Sequence, residues 1–272
     1  MSKDFKKGNL SVWEKVEIAR HKERPIGKFY INEIFKDFIE FHGDRSFGDD
    51  KAIIGGIASL NNINFTVISI TKGTNTSENI ERNFGMPSPE GYRKALRLMK
   101  QAEKFKRPVV CFVDTPGAFP GKGAEERGQG EAIAKNLFEL SKLKTPILSI
   151  LSGEGGSGGA LALAVADKIV MLENAIFSIL SPEGFASILW KDSTKVKEAA
   201  EVMKITANDL KEFGIIDDII KEPRGGAHKN PEKTAEYIRE EILNWINEIK
   251  EKDLDTLINE RYEKFRKMGN FY

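Results

Sequence analysis

The sequence predicts an α/β fold with largely parallel strands. Short apolar, β-branched runs alternate with segments whose apolar residues recur every three or four positions, a pattern typical of strands joined by crossover helices. A glycine-rich stretch at residues 153–159 follows one such run and precedes a helical segment, as expected where a parallel strand turns into a helix. No Pro/Gly/Ser-rich linker divides the 272 residues, so we expect one domain with helical extensions.

The first quarter of the chain predicts two helices and a hairpin. Apolar residues at helical spacing indicate a short helix over Ser11–Arg20 and an amphipathic helix over Ile31–Phe41. Two β-rich runs, Ala52–Leu60 and Ile63–Ile70, are separated only by Asn61-Asn62, a pair that favours a tight turn. These two runs are therefore expected to form a β-hairpin.

A long polar loop at residues 71–87 is expected to lead into a central helix. Ser88 is a suitable N-cap and Pro89 suits the first helical position, so the helix begins there and runs to about Phe105. Four basic residues of this helix are expected to face solvent or, alternatively, to meet substrate phosphates: Arg93, Lys94, Arg97 and Lys100.

The elements after this helix follow the same alternation. They are a strand at 108–113, a loop at 114–124, a helix to about 143, a strand at 146–151, the glycine turn with its helix, a strand at 168–172 and a helix start at 181–184. Gly214 is a plausible helix C-cap, and a short strand over residues 215–220 follows it. Asn230-Pro231 then begins a long amphipathic region. We divide the chain into an N-terminal arm (1–28), a central domain (29–228) and a C-terminal helical extension (229–272).

The composition excludes several classes of protein. Forty-two Lys and Arg face 41 Asp and Glu, and the formal net charge of +1 argues against bulk attraction to nucleic acid or membranes. The apolar runs are far shorter than the roughly 20 residues that span a bilayer, and no signal peptide is recognised. Cys111 is the only cysteine and the three histidines are far apart, so we expect neither a disulfide nor a metal site. A cytoplasmic protein is expected.

The glycine turn predicts a site for a negatively charged oxygen. The first N–H groups of a helix have no intrahelical acceptor, and the positive end of the helix dipole lies beside them. Glycine lets another molecule approach this backbone closely. Two consecutive N–H groups within Gly158–Ala160 would then form an oxyanion hole that needs no protein nucleophile.

Two other motifs fit the same turn. Gly153, Gly155 and Gly158 satisfy the dinucleotide fingerprint G-x-G-x-x-G, and Glu173 follows about 20 residues later. The serine in the middle of the turn also satisfies G-x-S-x-G, the nucleophile elbow of serine hydrolases. A hydrolase would combine the following residues in chain order: Ser157, then Asp167 or Asp217, then His228.

A second turn, Asp114–Gly121, also follows a strand. Its D-T-P-G start resembles the magnesium-side loop of GTPases. A GTPase also needs a P-loop, and this segment does not form one, because its two glycines are one residue too close together and Gly123 stands where the motif requires Ser or Thr. Turns after consecutive parallel strands meet at the same edge of a sheet, where such folds bind ligands. We therefore expect this turn and the glycine turn to share one site.

Six segments, in this order along the chain, resemble one enzyme family. They are Phe84–Ala95, Asp114–Gly121, Ala124–Gln129, Gly153–Ala162, Ser181–Gly184 and Gly225–His228. Together they look like the carboxyltransferase α subunits of bacterial acetyl-CoA carboxylase, and the resemblance extends from about residue 25 to 235. It implies a crotonase-like (ClpP/crotonase) fold of repeated ββα units in the central domain.

The resemblance also implies a reaction and its partners. The carboxyl group would pass from carboxybiotin on a separate carrier protein to acetyl-CoA, giving malonyl-CoA for fatty acid biosynthesis. The family pattern implies an α2β2 assembly with a zinc-bearing β subunit, served by a biotin carboxyl carrier protein and a biotin carboxylase. Loss of CO2 from carboxybiotin leaves a negative ureido oxygen, and removal of the α-proton of acetyl-CoA makes its thioester an enolate. Because both steps build negative charge on an oxygen, the resemblance implies that the main task of the protein is to stabilise oxyanions and exclude water.

The same resemblance assigns residues to the site. The N–H groups of Gly158, Gly159 and Ala160 would hold the ureido oxygen of biotin, while the β subunit would hold the thioester oxygen. The residues expected to line the substrate pocket are Gly155, Gly156, Gly117 and Ala118.

Two alternative functions remain open from the sequence. A self-sufficient hydratase or isomerase of the crotonase type would need a carboxylate over the substrate α-carbon, for which the candidates are Glu125, Glu126 and Glu154. A non-catalytic scaffold subunit would need none of the glycine-turn residues.

Overall fold

The protein is built on a mixed β-sheet, and the computed structural model describes residues 10–269 of the chain. The strands in this part of the chain are β1 (Lys36–Glu40), β2 (Ile53–Leu60), β3 (Ile63–Ile70), β4 (Val109–Thr115), β5 (Ile147–Gly156), β6 (Lys168–Leu172), β7 (Ile176–Ser178) and β8 (Asp218–Ile220). The α-helices are α1 (Val12–Ala19), α2 (Gly27–Ile34), α3 (Thr76–Glu81), α4 (Pro89–Lys104), α5 (Lys122–Glu126), α6 (Gln129–Ser141), α7 (Ser157–Ala164), α8 (Pro182–Leu189), α9 (Val196–Met203), α10 (Ala207–Glu212), α11 (Pro231–Ile249) and α12 (Leu254–Lys267).

The strand order confirms the predicted, largely parallel sheet. The order is β1-β2-β3-β4-β5-β6-β8, with β7 paired beside the end of β5. Strands β1 to β3 are antiparallel neighbours, whereas β3, β4, β5, β6 and β8 run parallel to one another. The predicted hairpin is also confirmed, because Asn61 and Asn62 join β2 to β3 with φ values of 49° and 63°. Positive φ at both positions suits the twist of a two-residue hairpin.

Helices cover both faces of the sheet. Successive side chains of a strand point to opposite faces. Ile68 of β3 lies with Leu98 of α4 around Gly55, whereas the next residue, Ser69, packs against Gly27 of α2. Every residue of β4 is buried, as expected for a parallel strand covered on both sides.

The helix predicted over Ile31–Phe41 is wrong in its second half. Helix α2 ends at Ile34, and β1 then pairs along the edge of β2, with Ile39 opposite Ile57. Hydrogen bonding to the otherwise unpaired backbone groups at the edge of β2 stabilises this segment as a strand, although its apolar spacing favours a helix. A φ of 53° at Asp37 accompanies a register shift in this pairing, so the strand begins with a bulge.

Three other expectations need correction. The polar loop at 71–87 contains α3, whose N-cap Asn75 accepts the Glu78 N–H. The helix predicted up to residue 143 is broken at Gly128, where φ is 83°, into α5 and α6. The basic face of α4 is not simply solvated, because Lys94 is fully buried and its Nζ lies 2.6 Å from Asp49 Oδ1.

The terminal helices contact the central sheet. Val16 and Ala19 of α1 pack against Ile176, Ala200 and Ile205, a cluster separate from the main core. Residues 1–9 of the predicted arm lie outside the described residues, and the three-part division of the chain stays a prediction. No helix within residues 10–269 combines the length and apolar character needed to cross a bilayer.

Helix α12 is anchored by one buried guanidinium group. Arg261 is 1% exposed and lies 2.7 Å from the Asp167 carboxylate. It also donates to three backbone carbonyls, that of Leu140 in the last turn of α6 and those of Leu143 and Thr145 before β5. This side chain therefore fixes the C-terminal helix to the start of the central strands.

Candidate active site

The two predicted turns meet at the carboxyl ends of β4 and β5. In this parallel pair Thr115 lies opposite Gly155, so the segments 116–118 and 156–160 are neighbours beyond the strand ends. The structure thus brings together the two turns that the sequence assigned to one site.

Close backbone contact explains two of the glycines. A Cβ on Gly156 would lie 2.1 Å from the Pro116 carbonyl oxygen, and a Cβ on Gly159 would lie 2.6 Å from the Ala118 nitrogen. Real side chains do not approach backbone atoms this closely, so any other residue would push the two turns apart. The contact between the turns therefore requires glycine at these two positions.

Helix α7 begins directly where β5 ends. Gly156 closes the strand, Ser157 opens the helix, and the first N–H groups of such a helix lack intrahelical acceptors. Gly158 is half-buried, whereas Gly159 and Ala160 are buried. Gly158 is thus the most exposed of the three residues that the resemblance assigns to the oxyanion hole.

The turn after β4 adds a donor of its own. The Thr115 hydroxyl donates to the Gly117 carbonyl (2.7 Å) and accepts the Gly117 N–H (3.0 Å). The Gly117 N–H is therefore already used within the turn. The next N–H, that of Ala118, makes no hydrogen bond within residues 10–269 and lies beside Gly159. The Ala118 N–H of one turn thus lies beside the start of α7 in the other.

A chain of ion pairs lies behind the glycine turn. Lys72 Nζ is 2.9 Å from both the Asp114 and the Glu154 carboxylates, and Arg20 is 2.7 Å from Glu154 and from Glu183. Asp114 also accepts the Glu154 N–H at 2.9 Å, which ties the end of β4 to the end of β5. Local sequence patterns do not reveal this network, since its members are up to 163 residues apart in the chain.

The charges of this network set the protonation of Glu154. Burial alone would raise its pKa, but the neighbouring Lys72 ammonium and Arg20 guanidinium outweigh this and lower the pKa of Glu154 below its ordinary value. The pKa of Lys72 is raised, because Asp114 and Glu154 outweigh the cost of its burial. Glu154 is thus an ionised, occupied carboxylate, which is poorly suited to accept a substrate proton.

The dinucleotide interpretation is wrong. Strand β5 continues to Gly156, so Gly153 and Gly155 lie within the strand and do not form the turn that the fingerprint requires. Gly153 packs against the Asp114 carboxylate, and Gly155 packs against Leu151 and Phe177.

The serine hydrolase triad is also absent from residues 10–269. Asp167 and Asp217 are held at the amino-terminal ends of strands, by Arg261 and Lys264. His228 stacks on His21, with ring centroids 3.9 Å apart. Burial, His21 and nearby cations lower the pKa of His228 to about 4.

An apolar cleft opens beside the first turn of α7. Its volume is about 680 Å³, and Ser157 and Gly158 form part of its wall. Side chains from β7, α8 and α10 line much of the remainder, among them Phe177, Phe185 and Leu210. The accessible end of the helix therefore faces a large apolar space.

No group of three or more His, Cys, Asp or Glu side chains in residues 10–269 is arranged to hold a metal ion. The thiol of Cys111 is buried in β4, and burial raises its pKa to about 12.

Comparison with known proteins identifies the family. The model of the family "Acetyl co-enzyme A carboxylase carboxyltransferase-like" matches residues 2–269. The chain is 75% identical over 272 residues to the acetyl-coenzyme A carboxylase carboxyl transferase subunit alpha of Clostridium beijerinckii, covering 100% of both chains. It is 60% identical over 262 residues to that of Bacillus cytotoxicus, covering 96% of this chain and 81% of the relative.

Solved structures confirm the predicted crotonase-like fold. Transcarboxylase 12S superimposes with a TM-score of 0.68 at 19% identity, over 90% of this chain and 46% of that chain. A Pseudomonas malonate decarboxylase hetero-tetramer gives a TM-score of 0.63 at 16% identity, over 79% of this chain and 86% of that chain. The chain therefore belongs to the family of acetyl-CoA carboxylase carboxyl transferase α subunits, which are transferases.

Proposed function

We propose that this chain forms the biotin-side half of a carboxyltransferase site. The reaction is transfer of a carboxyl group to acetyl-CoA, giving malonyl-CoA for fatty acid biosynthesis. The observation that supports the residue assignment is the close approach of the two turns, which places the unpaired Ala118 N–H beside Gly159 at the start of α7. Family membership supports the reaction.

The donor set fits a carboxylated cyclic urea. Carboxybiotin, carried on a separate protein, supplies the carboxyl group when it is bound. Two backbone N–H groups can hold its ureido oxygen without protonating it, since an amide does not titrate in this range. The nearby Glu154 carboxylate does not compete for these donors, because Lys72 and Arg20 occupy it.

The backbone donors act by stabilising negative charge as it develops on the bound oxygen. Fixed N–H dipoles need no reorganisation during the reaction, and loss of one such donor typically lowers the rate about 10²- to 10³-fold. Gly156 and Gly159 contribute by allowing the two turns to touch, while Asp114 holds the strand ends together. The network behind the turn thus positions the donors without contacting substrate.

We further propose a partner subunit that completes the site. The surface near the apolar cleft exposes several large apolar side chains, and Ile179, Ile188 and Leu189 are each more than 60% exposed. Exposed apolar patches of this kind mark interaction surfaces. The proposed assembly is α2β2 with a zinc-bearing β subunit, supplied by a biotin carboxyl carrier protein and a biotin carboxylase. The cytoplasmic location stays a prediction.

The test is the reverse reaction, in which a free biotin derivative stimulates decarboxylation of malonyl-CoA. We would assay this chain alone, the zinc-bearing partner alone and their mixture. Activity in the mixture only is expected. Activity of this chain alone would contradict the shared site, and no activity in any of the three would favour a scaffold role.

A further inference from the structure

Ser157 carries a side chain that no contact in the protein explains. It stands between glycines on both sides, yet its backbone adopts a φ of 52°, a left-handed conformation that glycine tolerates far better. The residue is exposed, and its hydroxyl makes no hydrogen bond within residues 10–269. Local folding therefore gives no reason for a serine at this corner.

Ser157 lies at the edge of the apolar cleft, in the first turn of α7. The residue forms part of the wall of the apolar cleft and comes immediately before the donors of Gly158 and Gly159. A hydrolytic role is ruled out by geometry, because the histidine and aspartates that could activate it are engaged elsewhere. What remains is a polar group beside the backbone donors, on the rim of an otherwise apolar space.

We propose that the Ser157 hydroxyl binds the cyclic urea of the carboxyl donor, as a hydrogen-bond acceptor placed next to the backbone donors. This inference rests on the proposed function. A cyclic urea presents a carbonyl oxygen and an adjacent ring N–H. Backbone N–H groups satisfy the oxygen but cannot accept from the ring N–H, whereas a hydroxyl can. Ser157 thus makes the site complementary to both groups and determines specificity for the ring.

Two substitutions separate the hydroxyl from the backbone. Ser157→Ala removes the hydroxyl and keeps the left-handed strain, whereas Ser157→Gly removes both. Gly130→Ala is the matched control, since Gly130 is exposed in α6 and an added Cβ would meet nothing within 4 Å. Each variant is combined with the partner subunit, and KM is measured separately for biotin methyl ester and for malonyl-CoA in the reverse reaction.

Both Ser157 variants are expected to raise KM for biotin methyl ester about three- to tenfold, with KM for malonyl-CoA unchanged. The thermal midpoint of Ser157→Gly should equal or exceed that of the wild type. An unchanged KM for the ester in either variant overturns the proposal, and so does an equal rise in both KM values.

The outcome also distinguishes this proposal from the proposed function. If the wild-type mixture shows no biotin-dependent activity, both proposals fall. If the mixture is active and both Ser157 variants behave like the wild type, only the role of the hydroxyl is refuted.

Discussion

The substitution Gly159→Ala gives the sharpest test of the contact between the two turns. Its Cβ would lie 2.6 Å from both the Ala118 nitrogen and the Gly117 carbonyl carbon. That is about 0.8 Å short of ordinary van der Waals contact, so one turn must move away from the other. A displacement of about 1 Å at a site can lower the rate about 100-fold. Overpacking typically costs about 1–3 kcal/mol of stability.

We therefore expect Gly159→Ala to lower turnover of the reverse reaction about 100-fold in the mixture with the partner subunit. Gly130→Ala serves as the control and should keep wild-type turnover. Size-exclusion chromatography establishes that the subunits still assemble, and thermal unfolding measures the stability loss. Wild-type turnover in Gly159→Ala, with assembly intact, would refute the oxyanion-hole assignment.

Three further predictions concern stability and reactivity. Arg261→Met should lower the free energy of unfolding by about 3–5 kcal/mol in urea titrations, because the partner charge of Asp167 stays buried; a loss below about 1 kcal/mol would contradict this. Burial would raise the pKa of Asp44, but hydrogen bonds from three backbone N–H groups and from Arg93 lower it to about 2. The ionised carboxylate therefore stabilises the folded state above about pH 4, and this contribution is lost as the pH falls towards 2. The free energy of unfolding of Asp44→Asn should therefore fall less between about pH 4 and about pH 2 than that of the wild type. The same pH profile of unfolding in both proteins would contradict this role of Asp44. Cys111 should react with iodoacetamide only after unfolding, as followed by mass spectrometry, and rapid native labelling would contradict its burial.

Local patterns predicted the elements that depend on neighbouring residues. The hairpin at Asn61-Asn62 and the helix beginning at Pro89 both appear in the structure at the predicted positions. Their signals are turn residues and helix caps, which act within a few residues. Local patterns failed at β1, where a helical pattern yielded to pairing along the edge of β2.

Sequence patterns likewise predicted one part of the candidate site and not the other. The glycine turn and the turn beginning at Asp114 were visible as motifs, and their position after parallel strands predicted that they meet. The ion pairs of Lys72 with Asp114 and Glu154 were not visible, since no spacing rule connects residues 42 to 82 positions apart. Nor could a motif show that the Gly117 N–H is used within its own turn.

Motifs and periodicity in the chain indicated the family, the parallel α/β architecture and the strand ends at which the candidate site is expected. These follow from motifs and from hydrophobic periodicity, which each segment carries locally. The tertiary structure decided which N–H groups are free, which glycines are required by contact and which carboxylates are neutralised by cations. The physical reason is that these properties depend on the register of β4 against β5, which brings Ala118 and Gly159 into contact across about 40 residues of chain.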